Sequence, residues 1–321
     1  MAYGKTGFPS LDRRSALALM ASAALASCGK AGPSSGDRSG KLFAGDQRGG
    51  SRIVLEGAGK LAGTPYEIVW SQFPNAAPLL EALNAGAIDT GIGGDSAFIF
   101  AIGSGATIKA IGAQETTGLG PVIVVRGDSP IRDLGGLAGK TIATPRGSIS
   151  HNHVLAVLEA YDQPYDAVRF AFLTPSDGRA ALHSGAVDAW AIWDPNAALA
   201  EREGARILKG KQDLVPGYSF MFARDGAIAE KRALLKDYHD RLYTGWQWAH
   251  ENEPGYRQLM HRDTGLPLDI LAITTGRSDR QPVPIDDAVI AAEQQTADRY
   301  LRAGVLAKRV EVSTGFDRSF A

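Results

Sequence analysis

The chain repeats itself. Pro65-Tyr66-Glu67 recurs as Pro164-Tyr165-Asp166, a shift of 99 positions (164 − 65). The same shift carries Phe73 onto Phe172, Ala82-Leu83 onto Ala181-Leu182, Gly86-Ala87-Ile88-Asp89 onto Gly185-Ala186-Val187-Asp188, and Asp95 onto Asp194. Upstream, Lys41 falls on Lys140, Ala44 on Ala143 and Ser51 on Ser150. Solenoid repeats run to roughly 20–50 residues, so a period this long implies two similar lobes.

Each repeat reads as strands alternating with helices. Residues 41–45 form an apolar strand, Gln47-Arg48-Gly49-Gly50 a turn, and Ser51 the N-cap of a helix over 52–61. A second strand spans 66–70 and a helix 78–85, ended by Gly86. A third strand spans 88–92, and Gly93-Gly94-Asp95-Ser96 opens a helix over 97–103. The second lobe follows suit: strand 140–144, helix from Ser150, strand 168–172, helix 178–184, strand 187–192, then Asp194-Pro195 opening a helix. This alternation predicts an α/β chain with parallel sheets flanked by helices. Residues 109–113 and 122–126 read as strands leading into the second lobe, and 218–224 as the return. The remainder, from Ala227, reads as largely helical, with 231–250 and 286–306 packing back on the first lobe. The expected division is therefore 41–118 plus 222–321 for lobe one and 119–221 for lobe two.

The N-terminus stands outside this plan. Lys5, Arg13 and Arg14 precede an apolar run over 16–26, too short for a bilayer span of about 20 residues. The run ends in Leu25-Ala26-Ser27-Cys28, which resembles the lipobox of bacterial lipoproteins. Residues 1–28 are expected to be a lipoprotein signal peptide with Cys28 lipidated, and 29–40 a Gly/Ser/Pro linker. The Arg13-Arg14 pair points to the twin-arginine route. The expected location is the periplasm, lipid-anchored to the membrane.

Composition narrows the function classes. The 321 residues carry a net charge of −1, with no basic footprint for nucleic acid. Cys28 is the sole cysteine, so neither an internal disulfide nor a Cys-rich metal site is expected. The six histidines form no HExxH pattern, and no metal or cofactor is expected.

In open α/β sheets, ligands sit beyond the carboxyl ends of the strands. Four strand-to-helix turns fall there: 47–51, 93–96, 147–150 and 193–195. Each precedes a helix N-terminus with free N–H groups and partial positive charge, so two lobes aiming such ends at one cleft would trap an anion. The candidate ligand-binding residues are Gln47, Gly50, Ser51, Gly94, Asp95, Ser96, Gly147, Ser148, Ser150, His151, Trp190, Trp193 and Asp194. Asp95 and Asp194 read equally well as plain helix caps, whereas Ser148 is expected to touch the ligand. Trp190 and Trp193 cannot share one face of a short strand. One is expected in the core and the other, Trp193, as a wall for an alkyl or aryl group. Trp246 and Trp248 read as core or surface.

Leu79-Leu80-Glu81-Ala82-Leu83-Asn84-Ala85-Gly86-Ala87-Ile88-Asp89, Gly94-Asp95, Gly147-Ser148 with His151, and Ala189-Trp190-Ala191-Ile192-Trp193-Asp194-Pro195 together resemble the aliphatic sulfonate-binding proteins of ABC importers. The resemblance runs from Lys41 to the C-terminal helices. It implies a type II periplasmic-binding-protein fold, with two α/β lobes joined by a two-strand hinge. It also implies a partner permease and ATPase, a small anionic ligand of the sulfonate class, membrane contact through the lipid alone, and a monomer. Many relatives carry Tyr after the Asp-Pro, where this chain has Asn196.

Two other functions compete. A binder of a cationic, thiamine-precursor-like ligand would use Asp95, Asp194 and a Trp face. A desulfinase-like enzyme on the same scaffold is suggested by Arg48-Gly49-Gly50, which resembles a short motif of aromatic desulfinases. That chemistry needs a cysteine nucleophile in the cleft, and Cys28 lies in the export signal. The expected mechanism is capture by backbone N–H groups and Ser hydroxyls, with Gln47 or Arg146 assisting, followed by closure of the lobes.

Overall fold

The computed structural model describes residues 40–211 and 213–320, together with Met1. The expected signal peptide, the linker and Cys28 lie outside the described residues. The chain from Gly40 onward forms one unit.

β1 (Lys41–Asp46), α1 (Ser51–Gly57), β2 (Glu67–Gln72), α2 (Ala76–Asn84), β3 (Thr90–Gly94), α3 (Asp95–Gly103) and β4 (Ile108–Gly118) begin the first lobe. The second is built from β5 (Val122–Arg126), β6 (Thr141–Thr144), α4 (Ile149–Ala160), β7 (Arg169–Phe172), α5 (Pro175–Ser184), β8 (Ala189–Ile192), α6 (Asn196–Arg202) and β9 (Ala205–Ile207). The chain returns on β10 (Tyr218–Arg224). It ends in α7 (Asp225–Glu251), α8 (Glu253–Thr264), α9 (Leu268–Arg277), β11 (Ser278–Val283) and α10 (Asp287–Arg302).

The first sheet has the order β11-β4-β10-β3-β1-β2 and the second β7-β6-β8-β5-β9. In each, the first strand of the repeat lies between the other two and parallel to both. The strand at the lobe crossing, β10 or β5, then pairs antiparallel beside the third. These are the two α/β lobes and two-strand crossing of the type II periplasmic-binding-protein fold.

The duplication reaches the backbone. Left-handed positions recur at the same shift: Gly40 and Gly139, Gly63 and Asp162, Gly86 and Gly185, Gly105 and Gly204. The repeated Gly-Ala-Ile/Val-Asp ends in one device used twice. Asp89 donates its N–H to Phe43 O (2.7 Å) and accepts the Phe43 N–H on Oδ2 (3.1 Å). Asp188 does the same with Thr141, at 2.9 and 2.8 Å. In lobe one the carboxylate is buried as well and pairs with Arg224 and Lys231 at 2.8 and 2.7 Å.

Both faces of each sheet are covered, as parallel strands require. In lobe one, Leu42, Ala44 and Met221 pack with Val54, Leu55, Leu235 and Trp246, while Phe220 and Phe222 pack with Leu79, Leu83 and Phe98. In lobe two, Ile142, Ala189 and Ala191 lie under Val154, Val157 and Leu158, and the opposite face holds Val124, Ala143, Trp190 and Ile192.

Four expectations are corrected. Gly50, not Ser51, is the N-cap of α1, and Ser51 is the buried first residue of the helix. The boundary expected between 221 and 222 falls inside β10, which belongs wholly to the first sheet, so lobe two ends before Tyr218. β9 and β11 were not expected. β11 contains Pro282 and two charged residues, poor strand formers tolerated because it is an edge strand zipped onto β4. α7 starts six residues earlier than expected and is interrupted by a non-helical Lys231.

Candidate ligand-binding site

The sheet orders place β1 beside β3 and β6 beside β8, so the four turns emerge in two adjacent pairs. Both turns of lobe two touch lobe one. Gly147 packs on α3, where a Cβ would lie 2.9 Å from the Phe100 ring, and Tyr300 of α10 donates to Ser148 O at 2.9 Å. At the other turn, Arg277 Nη1 lies 3.6 Å from Asp194 Oδ1. Both lobe-two turns therefore abut lobe one, through α3 and α10 at one and through the end of α9 at the other.

The β1–α1 turn is held from outside. Gly49 N donates to Asp263 Oδ2 at 2.7 Å and Gly49 O accepts from the Tyr256 hydroxyl at 2.9 Å, both partners lying on α8. Gly50 admits no side chain, because a Cβ would stand 2.6 Å from Gln47 O and 2.7 Å from Asp46 Oδ1. Gln47 spans the turns by donating Nε2 to Ile92 O at 3.0 Å. Asp46 closes β1 as a buried carboxyl. Burial pushes it up to about 6, against the Gln72 amide and the backbone N–H groups of Gln47, Arg52 and Ser51. Its Oδ1 has no hydrogen-bond partner.

At the β3–α3 turn, Gly94 is the N-cap, and Asp95 is fully buried with Oδ1 accepting from Ser96 N. Burial pushes Asp95 up to about 7. Glu293 of α10 is raised too, by burial and by the charge of Asp95. Two such carboxyls favour sharing one proton. The Ser96 hydroxyl is buried beside Asp95 and Tyr300.

The β6–α4 turn differs. Ser148 is the N-cap: its hydroxyl accepts from His151 N at 3.2 Å and donates to Pro145 O at 2.7 Å. Its side chain is committed to the helix, contrary to the expectation of ligand contact. Thr144 Oγ1 and Ser150 Oγ, both fully buried, have no partner. His151 lies edge-on to Phe170 and Phe172, and its Nδ1 accepts from Gly147 N at 3.3 Å. Burial, then the Arg146 charge, pushes it down to about 4, so the ring is neutral at pH 7 and carries its proton on Nε2. That Nε2 is buried without a partner. No acid stands in the first turn of α4.

At the β8–α6 turn, Asp194 Oδ1 caps α6 by accepting from Ala198 N at 2.9 Å, while Oδ2 has no partner. Burial raises this carboxyl. Trp190 is 0% exposed in the core of lobe two and is the tryptophan expected there, so it leaves the candidate ligand-binding set. Trp193 is half-buried at the edge of the same cluster.

The turns are thus not equivalent. An aspartate carboxyl lies beside the start of α1, α3 and α6, though only α3 carries it in its first turn and burial raises all three. α4 has a neutral cap, and unfilled donors surround it. A buried polar group left without a hydrogen bond costs about 1–3 kcal/mol, so such a cluster suits a ligand or water rather than the fold. Asp46, Thr144 and Arg277 were missed. The first two end the strands that feed the predicted turns, a position that could have marked them, whereas nothing local to Arg277 signals its place.

The family model described as NMT1/THI5 like matches residues 69–255. A protein of Escherichia coli (strain K12) named "Putative aliphatic sulfonates-binding protein" is 32% identical over 277 residues, covering 84% of this chain and 86% of that protein. Among solved structures, the alkanesulfonate-binding protein SsuA from Xanthomonas axonopodis pv. citri, bound to MOPS, matches with a TM-score of 0.80 at 30% identity. It covers 87% of this chain and 99% of that one. The desulfurization enzyme DszB matches with a TM-score of 0.61 at 15% identity, over 87% of this chain and 97% of that one, a likeness of fold alone.

Proposed function

The chain belongs to the NMT1/THI5-like family, and from that premise we propose that it is the substrate-binding component of an ABC importer for a small organic anion of the sulfonate class. The oxyanion head sits at the N-terminus of α4. The observation that carries this reading is the β6–α4 turn, where a neutral cap leaves the helix dipole uncompensated and Thr144, Ser150 and His151 Nε2 stand as unfilled buried donors. The kinship to sulfonate-binding proteins at 30% identity and above supports the ligand class. The protein binds and does not catalyse: desulfinase chemistry needs a cysteine, and the sole one is Cys28. The partners are a permease and an ATPase. Export and lipidation at Cys28 would keep the protein at the outer face of the membrane that they span.

One observation favours a second reading. Asp46, Asp95 and Asp194 each keep a buried carboxylate oxygen without a partner, which suits a cationic ligand group. Thermal unfolding against ethanesulfonate, nitrate and thiamine separates the two. A true ligand stabilises by RT ln(1 + [L]/Kd), about 2.7 kcal/mol at a hundredfold excess over Kd. Ethanesulfonate is expected to raise Tm with concentration and thiamine to leave it unchanged. A shift with thiamine alone replaces the sulfonate reading with the cationic one.

A further inference from the structure

We propose that Arg277 is a ligand-binding residue whose Nη1 donates to an oxygen of the bound anion. The assignment rests on the sulfonate reading above and adds a residue from a distant part of the chain. Arg277 ends α9 in lobe one, where its carbonyl accepts from Leu119 N at 2.7 Å on the segment crossing to lobe two. Its side chain then reaches the second lobe, with Nη2 donating to Glu201 on α6. Nη1 is buried, stands 3.6 Å from Asp194 Oδ1 and makes no hydrogen bond. A guanidinium N–H held out of water without an acceptor is costly, and an anion would remove that cost.

Charge balance points the same way. Asp194 places a buried carboxylate at one of the four turns, and an anion beside it would be repelled without a compensating cation. The arginines near the other turns, Arg48, Arg52 and Arg146, are exposed. Arg277 places a positive charge against Asp194 itself. β6 and β8 are neighbours, so the turn that Arg277 addresses follows the strand next to the one that leads into the donors at α4. The fork is held at Nη2 by Glu201 and faces Asp194 Oδ1 at 3.6 Å with Nη1, too far for a hydrogen bond, so an oxyanion oxygen could complete that N–H. Glu201 is a positioning residue in this scheme.

Calorimetric titration of the full chain with ethanesulfonate tests the proposal, with the folding of each variant followed by thermal melting. Arg277→Ala is expected to weaken binding about 10- to 100-fold, the loss typical of a charge-assisted hydrogen bond. Millimolar guanidinium ion should restore part of it. Arg277→Lys, which keeps the charge without the fork, should lose less, and it carries the test if the alanine variant does not fold. Glu201→Gln should change affinity by less than about threefold, within the range of a partly exposed ion pair. Wild-type affinity in Arg277→Ala, or an equal loss in Glu201→Gln without rescue by guanidinium, overturns the assignment and leaves the sulfonate reading standing. An unsubstituted chain that binds no sulfonate overturns that reading, and the assignment with it.

Discussion

Ser148 and Ser150 lie two residues apart at the start of α4, and their hydroxyls are used differently. Ser148 Oγ is consumed in capping, while Ser150 Oγ is buried without a partner. Ser148→Ala should therefore cost about 1 kcal/mol of stability in urea unfolding, as a lost N-cap does. Ser150→Ala should leave stability nearly unchanged and weaken ethanesulfonate binding. The reverse pattern would reassign the two residues. Asp95 offers a second test. Its carboxyl is raised to about 7 in the fold from an ordinary 3.8. A raised group contributes stability fully below its unfolded value and loses it as pH climbs through the folded one. Asp95→Asn removes that loss, so urea unfolding at pH 5 and pH 8 should show the variant gaining on the parent at pH 8. An unchanged difference between the two pH values contradicts the burial argument. The sequence reveals which residue types gather at helix starts, because caps favour Ser and Asp. It does not reveal whether a hydroxyl faces the helix or a ligand.

At the scale of elements, the 99-residue shift was the most legible feature, and the strands and helices of both lobes follow it. The copies have nonetheless diverged in energetics. Asp89 and Asp188 clamp a neighbouring strand in the same way, but Asp89 is buried with Arg224 and Lys231, whereas Asp188 is exposed. Asp89→Asn leaves two cations without their buried partner and should cost about 3–5 kcal/mol. Asp188→Asn removes only a charged hydrogen bond and should cost about 1 kcal/mol. Equal losses in chemical denaturation would contradict this account. β11 was illegible for a physical reason: its residues have little strand preference, and the strand exists because β4 is long enough to present a second open edge. The limits of β10 were legible at 218–224, but the lobe boundary was drawn inside it because an apolar run fits either sheet, and pairing with β3 and β4 settles it.

In the whole molecule, lobe one reaches across to both helices that carry the second lobe's half of the site. Arg277 holds α6 through Glu201. Arg299 of α10 holds α4 through Glu159 (2.7 Å) and Asn152 (2.8 Å), and Tyr300 donates to Ser148 O. These ties connect residues more than 75 positions apart, beyond any local pattern. The sequence suggested four equivalent positive helix ends around a crevice. The structure places an aspartate carboxyl beside three of them and leaves α4 with a neutral serine cap. A crystal structure of the chain with ethanesulfonate tests this most directly. The account predicts a sulfonate oxygen within hydrogen-bonding distance of Ser150 Oγ or the first N–H groups of α4. A sulfonate seated elsewhere, with no oxygen reaching that turn, contradicts it.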